Sequence, residues 1–157
     1  MRKQVISFAV VASMLAAGAI GFAHEADEDL PAGPIRDRHE LMEGIGKNAK
    51  AIGDALKAGK TDPIGPAAEA IEKDSGKVVA LFPKGSTDPK SRAKPEIWDH
   101  WDKFESLTKE MGTKAGELAA AAKSGGNVGA AADAMFGKCK ACHDDFRKPE
   151  EKKAAKS

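Results

Sequence analysis

Four stretches of this chain share one pattern, apolar residues at alternating three- and four-residue spacings, cut apart by proline and glycine. That period puts the apolar side chains on one face of an α-helix. The first stretch runs from about Gly33 to Ala58, with the stripe Ile35, Arg38, Met42, Ile45, Ala49, Ile52 and Leu56. Pro34 suits a first helical turn, and "GKTDP" ends the stretch. The second, from about Ile64 to Phe82, carries Ile64, Ala68, Ile71, Ser75, Val78 and Phe82, and Pro83 stops it. A polar loop, "PKGSTDPKSRAK", follows. The third begins near Pro95 and reaches about Lys123, with Ile97, Trp101, Phe104, Thr108, Met111, Ala115 and Leu118 on its stripe. "SGGN" precedes the fourth, from about Val128 to Lys148, with Val128, Ala132, Met135, Cys139, Cys142 and Phe146. No stretch alternates with the two-residue period of a strand. Long helices with short connections predict an all-α fold, an antiparallel up-down four-helix bundle.

Composition points the same way. Alanine and lysine abound, β-branched residues are few, and the aromatics are six Phe and two Trp with no Tyr. The 25 basic and 24 acidic residues leave no dominant basic face, so no nucleic-acid partner is expected. The lysines of "RKPEEKKAAKS" alternate with acids, as in a solvated tail.

Residues 1–23 read as a cleaved export signal. Arg2 and Lys3 form a positive start, Val5 to Phe22 is uncharged and mostly apolar, and small residues flank Phe22 in Gly21-Phe22-Ala23. The apolar run is nearly long enough to span a bilayer. It is rich in Ala, Gly and Ser, however, and acidic sequence follows at once, so cleavage is expected over retention as an anchor. The mature domain is then 24–157, with a net charge of about −1 after two cations leave a chain of formal charge +1.

Gly44, Gly46 and Gly53 lie inside the first helix, each at a cost of about 1 kcal/mol relative to Ala. Close helix packing is the expected reason. The alternative is a flat, bulky group lying against that surface.

The segment "KCKACHDDFR" holds both cysteines of the chain and one of its four histidines. Cys139 and Cys142 are one helical turn apart, and His143 is four residues from Cys139, so all three project from one side. A disulfide between the cysteines would close a very small loop and stabilise little. A thioredoxin-like pair wants a βαβ context that is missing. Zinc needs four ligands, and no second Cys/His cluster exists. The spacing C-x-x-C-H fits covalent haem attachment. Two thiols a turn apart can each add to a vinyl group of one porphyrin, and the next residue offers an imidazole to the iron.

With that motif in the last helix, the chain resembles the class II cytochromes c, the cytochrome c′ family and its low-spin relatives. "RHELMEGIGKNAKAI" resembles the family's first helix, "ALFPKGS" the end of its second, "KPEIWDHWDKF" the start of its third and "CKACHDDFR" its haem segment. The resemblance implies one haem c, covalent through two thioethers to Cys139 and Cys142, with His143 as proximal ligand. It implies that Arg38 lies near a haem propionate and that Arg147 sits beside the proximal histidine. It also implies a bacterial, periplasmic protein, a monomer or a homodimer through the first two helices.

Met42 occupies the first-helix position that faces the distal side of the haem in this family. In the low-spin branch a methionine there binds the iron as sixth ligand; in cytochrome c′ proper the side chain only walls the site. Thioether sulfur is a usual partner to His in c-type haems, so ligation by Met42 is expected, although a methionine on an apolar stripe is more often core filler. The expected function is therefore one-electron transfer with soluble or membrane-bound redox partner proteins. The alternative is a five-coordinate, high-spin cytochrome c′ binding nitric oxide or carbon monoxide. No catalytic residue is implied: a peroxidase pocket needs polar acid–base groups, and the first-helix stripe offers only Arg38. His39 and His100 read as surface residues and His24 as the mature N-terminus. Trp98 and Trp101 read as packing, and the Gly112/Gly116 pair is no membrane signal among so many charges.

Overall fold

The computed structural model describes residues 30–149, so the expected export signal lies outside the described residues. The helices are α1 (Pro34–Lys57), α2 (Ile64–Val78), the short α3 (Glu96–Asp99), α4 (Trp101–Ser124) and α5 (Val128–Phe146), with a 3₁₀ turn at Val79–Leu81. The described residues contain no strand, only an isolated antiparallel bridge between Ala93 and Arg147. α1, α2, α4 and α5 form the expected four-helix bundle, each long helix packed on the next in sequence. No described helix is long and apolar enough to cross a membrane.

Local chemistry sets the ends. α1 opens with Pro34 in its first turn, where a missing N–H costs nothing. α4 ends at Gly125, whose φ of 71° is the left-handed conformation that glycine adopts without strain. Asn127 then caps α5, its side-chain oxygen accepting from the Ala130 N–H at 3.0 Å. Three boundaries differ from expectation, the first being α2, which gives way at Val78 to the 3₁₀ turn short of Phe82. The third helical stretch is broken at His100 (φ −125°, ψ 44°), which separates α3 from α4. The Trp98 indole N–H donates to the Phe82 carbonyl at 3.1 Å, tying α3 to the end of α2. α5 stops at Phe146 because the next residues leave the helix and bond to the loop before α3: the Lys94 N–H donates to the Phe146 carbonyl at 2.9 Å and the Lys148 N–H to the Arg92 carbonyl at 2.7 Å.

The core is built from the stripes. Ile52, Ile64, Ile71, Phe104, Leu118 and Met135 are fully buried. Each such side chain contributes about 1.5–3 kcal/mol relative to exposure. At one end, Phe104 meets Phe82 at 4.8 Å between ring centroids and Phe146 edge-on at 5.6 Å.

α2 and α4 make the most extensive contact, and α1 and α5 the slightest among neighbouring long helices. The α2–α4 contact depends on Gly112 and Gly116. A Cβ on Gly112 would lie 2.2 Å from Ser75 Oγ, and one on Gly116 2.7 Å from Glu72 Oε1. These two glycines, unrelated to any membrane, let two helices approach closely. The expectation of close packing at Gly44, Gly46 and Gly53 is corrected: a Cβ at any of them meets nothing within 4 Å.

Two glycine-to-alanine changes should therefore act in opposite directions. Gly112→Ala forces Ser75 aside and should cost about 1–2 kcal/mol net, overpacking outweighing the gain in helix propensity. Gly46→Ala, exposed and unobstructed, should gain up to about 1 kcal/mol. Urea denaturation of the two variants reads both signs.

Candidate functional site

α5 carries Cys139, Cys142 and His143 where the sequence expects them, on one side of the helix near its C-terminal end. The burial pattern along this helix is uneven. Ala132 and Met135 are fully buried above the cysteines, and Phe146 is buried below them. Cys139 and Cys142 share that stripe but are only half-buried, packed against the edge of the core. The core is thus filled above and below the C-x-x-C turn and thinner beside it.

The facing helix repeats the pattern. Along α1, Arg38, Ile45 and Ile52 are buried at seven-residue steps. Beside them runs a parallel half-buried line, Met42, Ala49 and Leu56, also seven apart and packed against the core. Among neighbouring long helices, α1 and α5 touch least. Two half-buried apolar lines on helices in slight contact, one with two thiols a turn apart, fit a flat apolar cofactor attached to α5.

The titrating groups respond to this setting. Burial pushes both thiols up, and Cys142 reaches about 11 with help from the charges of Cys139 and Asp145. Among the described residues no group of three or more His, Cys, Asp or Glu is placed to hold a metal ion. Partial desolvation pulls the His143 imidazole below the ordinary histidine range, and the positive charges of Arg147 and Arg92 act with it, against Asp144. His143 as a residue is nonetheless exposed at the surface. Arg147, also exposed, lies within electrostatic reach of His143, and its N–H donates to the His143 carbonyl at 3.1 Å.

Arg38 is 4% exposed, four residues before Met42. Its guanidinium donates to Ser86 Oγ at 2.8 Å, to the Ser86 carbonyl at 2.9 Å and to Ser91 Oγ at 2.9 Å. It also lies over the Phe82 ring, 4.7 Å from the centroid. Burial lowers its pKa, and the charge of Asp88 opposes that. These partners were invisible in the sequence, because they come from a polar loop some fifty positions away. The remaining candidates stay peripheral. His39 sits 3.9 Å from Glu43, and His100 is exposed at the α3–α4 break. Trp98 and Trp101 are half-buried, Trp101 packing on Phe104 at 5.6 Å.

Comparison with known proteins settles the class. Residues 33–147 match the family model described as Cytochrome C'. The chain is 34% identical to the cytochrome c′ of Rhodospirillum rubrum, over 88% of this chain and 95% of that one. The fold is similar to cytochrome c′ from Rhodopseudomonas palustris, with TM-score 0.69 and 29% identity over 77% of this chain and all of that one. It is also similar to a nitric oxide complex of a cytochrome c′ variant from Alcaligenes xylosoxidans, with TM-score 0.62 and 26% identity over 75% of this chain and 98% of that one. The chain belongs to the cytochrome c′ family. Its cofactor is haem c, covalently attached, and the chain has the two cysteines that attachment uses.

The same relatives overturn the expectation of a low-spin electron carrier with Met42 on the iron. They are cytochromes c′, and one of them holds nitric oxide. The physical reason lies in α1: Met42 is one member of an apolar line with Ala49 and Leu56, packed on the core. An unbranched, flexible thioether fills such an irregular edge without any need to coordinate.

Arg38→Met should leave the Ser86 and Ser91 partners unmatched and free the loop around them. Losing a buried, charge-assisted set of this kind costs about 2–4 kcal/mol. Limited trypsin digestion should cut this variant at Lys84, Lys90 or Arg92 well before the wild type.

Proposed function

We propose that this chain is a bacterial, periplasmic cytochrome c′ that binds nitric oxide or carbon monoxide at a five-coordinate, high-spin haem. The observation that carries the reading is the C-x-x-C-H turn at the thin level of the core, in a chain that matches the cytochrome c′ model from residue 33 to 147. The haem supplies an iron centre able to take a small diatomic ligand. Cys139 and Cys142 hold it through thioethers, and His143 offers the proximal imidazole. Arg147 places a positive charge beside that imidazole. Met42 and its apolar neighbours on α1 wall the distal side, where small uncharged ligands are favoured over charged ones by the cost of desolvating charge. Arg38 lies at the start of that wall, with donor groups suited to a carboxylate such as a propionate. The export-signal features of residues 1–23 and the bacterial sources of the relatives support a periplasmic location. The function is read as binding rather than catalysis, a reading supported by the apolar line of Met42, Ala49 and Leu56 on α1.

Absorption spectra of the reduced holoprotein test this directly. Broad high-spin bands that shift on adding carbon monoxide are expected; sharp low-spin bands indifferent to it would sink the proposal. Met42→Ala should change the rate of carbon monoxide uptake without changing the number of ligands on the iron. Attachment is read separately: haem should stay with the denatured polypeptide in the wild type and be lost from it when Cys139 and Cys142 are both replaced by alanine.

A further inference from the structure

The loop between Phe82 and Pro95 does more than join α2 to α3. Ser91, within it, is 8% exposed. Its hydroxyl accepts from Arg38 Nη2 at 2.9 Å, and its carbonyl accepts from Lys148 Nζ at 3.1 Å. One buried residue is thereby bonded to α1 on one side and to the chain leaving α5 on the other. The connection to α5 continues beyond it. Ser91 Oγ also accepts from the Ala93 N–H at 3.3 Å, and Ala93 bridges to Arg147. Lys94 Nζ donates to the carbonyls of Asp144 and Asp145 at 3.0 and 2.9 Å. Those carbonyls belong to the last turn of α5, where helix oxygens lack partners and a cation is favoured. That turn directly follows His143.

We propose that Ser91 is a positioning residue that couples the distal wall on α1 to the proximal end of α5. The proposal rests on the gas-binding reading above. Arg38 fixes the first turns of α1, one turn before Met42. Its grip depends on an acceptor held in place by the same residue that receives Lys148. Removing the Ser91 hydroxyl leaves a buried guanidinium one acceptor short and loosens the loop from α1. Removing the Lys148 ammonium loosens the same loop from the α5 side. In each case Met42 and His143 lose a common reference, so a change at one end reaches the other through a packed, hydrogen-bonded connection.

The test uses ferrous holoprotein of the wild type and of Ser91→Ala, Ser91→Thr and Lys148→Met. Carbon monoxide association is followed by flash photolysis, and the iron–histidine stretch by resonance Raman. Ser91→Ala should speed association about three- to tenfold and shift the iron–histidine band, while Ser91→Thr, which keeps the hydroxyl, should stay near wild type. Lys148→Met, which touches nothing on α1, should also speed association, and it carries the test if Ser91→Ala does not fold. A Lys148→Met protein with wild-type association overturns the coupling. So does a Ser91→Ala protein whose melting temperature falls while both signatures stay fixed. A wild type that takes up no carbon monoxide overturns the gas-binding reading and this proposal with it, an outcome distinct from the other two.

Discussion

A buried guanidinium organises the working end of this bundle. A charge taken out of water is costly unless hydrogen-bonded, so Arg38 requires its acceptors. The structure supplies them from Ser86 and Ser91, with the Phe82 ring beneath. That requirement places the longest connection in the described chain. Once Ser91 is against α1, Ala93 and Lys94 fall beside the residues that leave α5. The loop is held from two helices, and the turn that carries His143 inherits its position from that double attachment. A polar stretch that looks dispensable in the sequence is thus what keeps α1 and α5 in register despite their slight direct contact.

That slight contact follows from how the other helices pack. Gly112 and Gly116 bring α4 against Ser75 and Glu72, making α2 and α4 the close-packed spine. α1 packs on α2 and α5 packs on α4, and the two outer helices meet only lightly. Where the aromatic cluster of Phe82, Phe104 and Phe146 ends, each outer helix presents half-buried apolar residues toward the bundle. A bundle closed equally on all four sides would have buried Cys139 and Cys142 as completely as Met135. Uneven packing keeps the level of the cysteines available to a cofactor.

Much of this was legible in the sequence because it is local. The 3.6-residue stripes located the four long helices, Pro34 marked the start of the first, and "SGGN" the break before the last. The C-x-x-C-H spacing defined the attachment turn without any tertiary information. What escaped depended on distant partners. Gly112 and Gly116 carried no visible meaning until Ser75 stood opposite them. Arg38 was read from its place on a stripe, but Ser86 and Ser91 could not be paired with it across the loop. The break at His100 falls beside Trp98, whose bond to the Phe82 carbonyl is a contact between separate elements. Met42 was misread for a related reason: a thioether that ligates and one that fills an apolar edge occupy the same stripe position, and small displacements of the helix decide between them.

The thin level of the core also governs the chemistry of the residues on it. Disulfide formation proceeds through the thiolate. Burial raises both thiols, Cys142 to about 11, which disfavours that form. The opposite sign holds one residue further on. Desolvation and the guanidiniums of Arg147 and Arg92 lower the proton affinity of His143, so its neutral imidazole, the form that ligates, persists to lower pH than that of a free histidine. Half-burial on a helix that meets its neighbour only lightly thus favours the thiol form of both cysteines and the neutral form of the imidazole beside them.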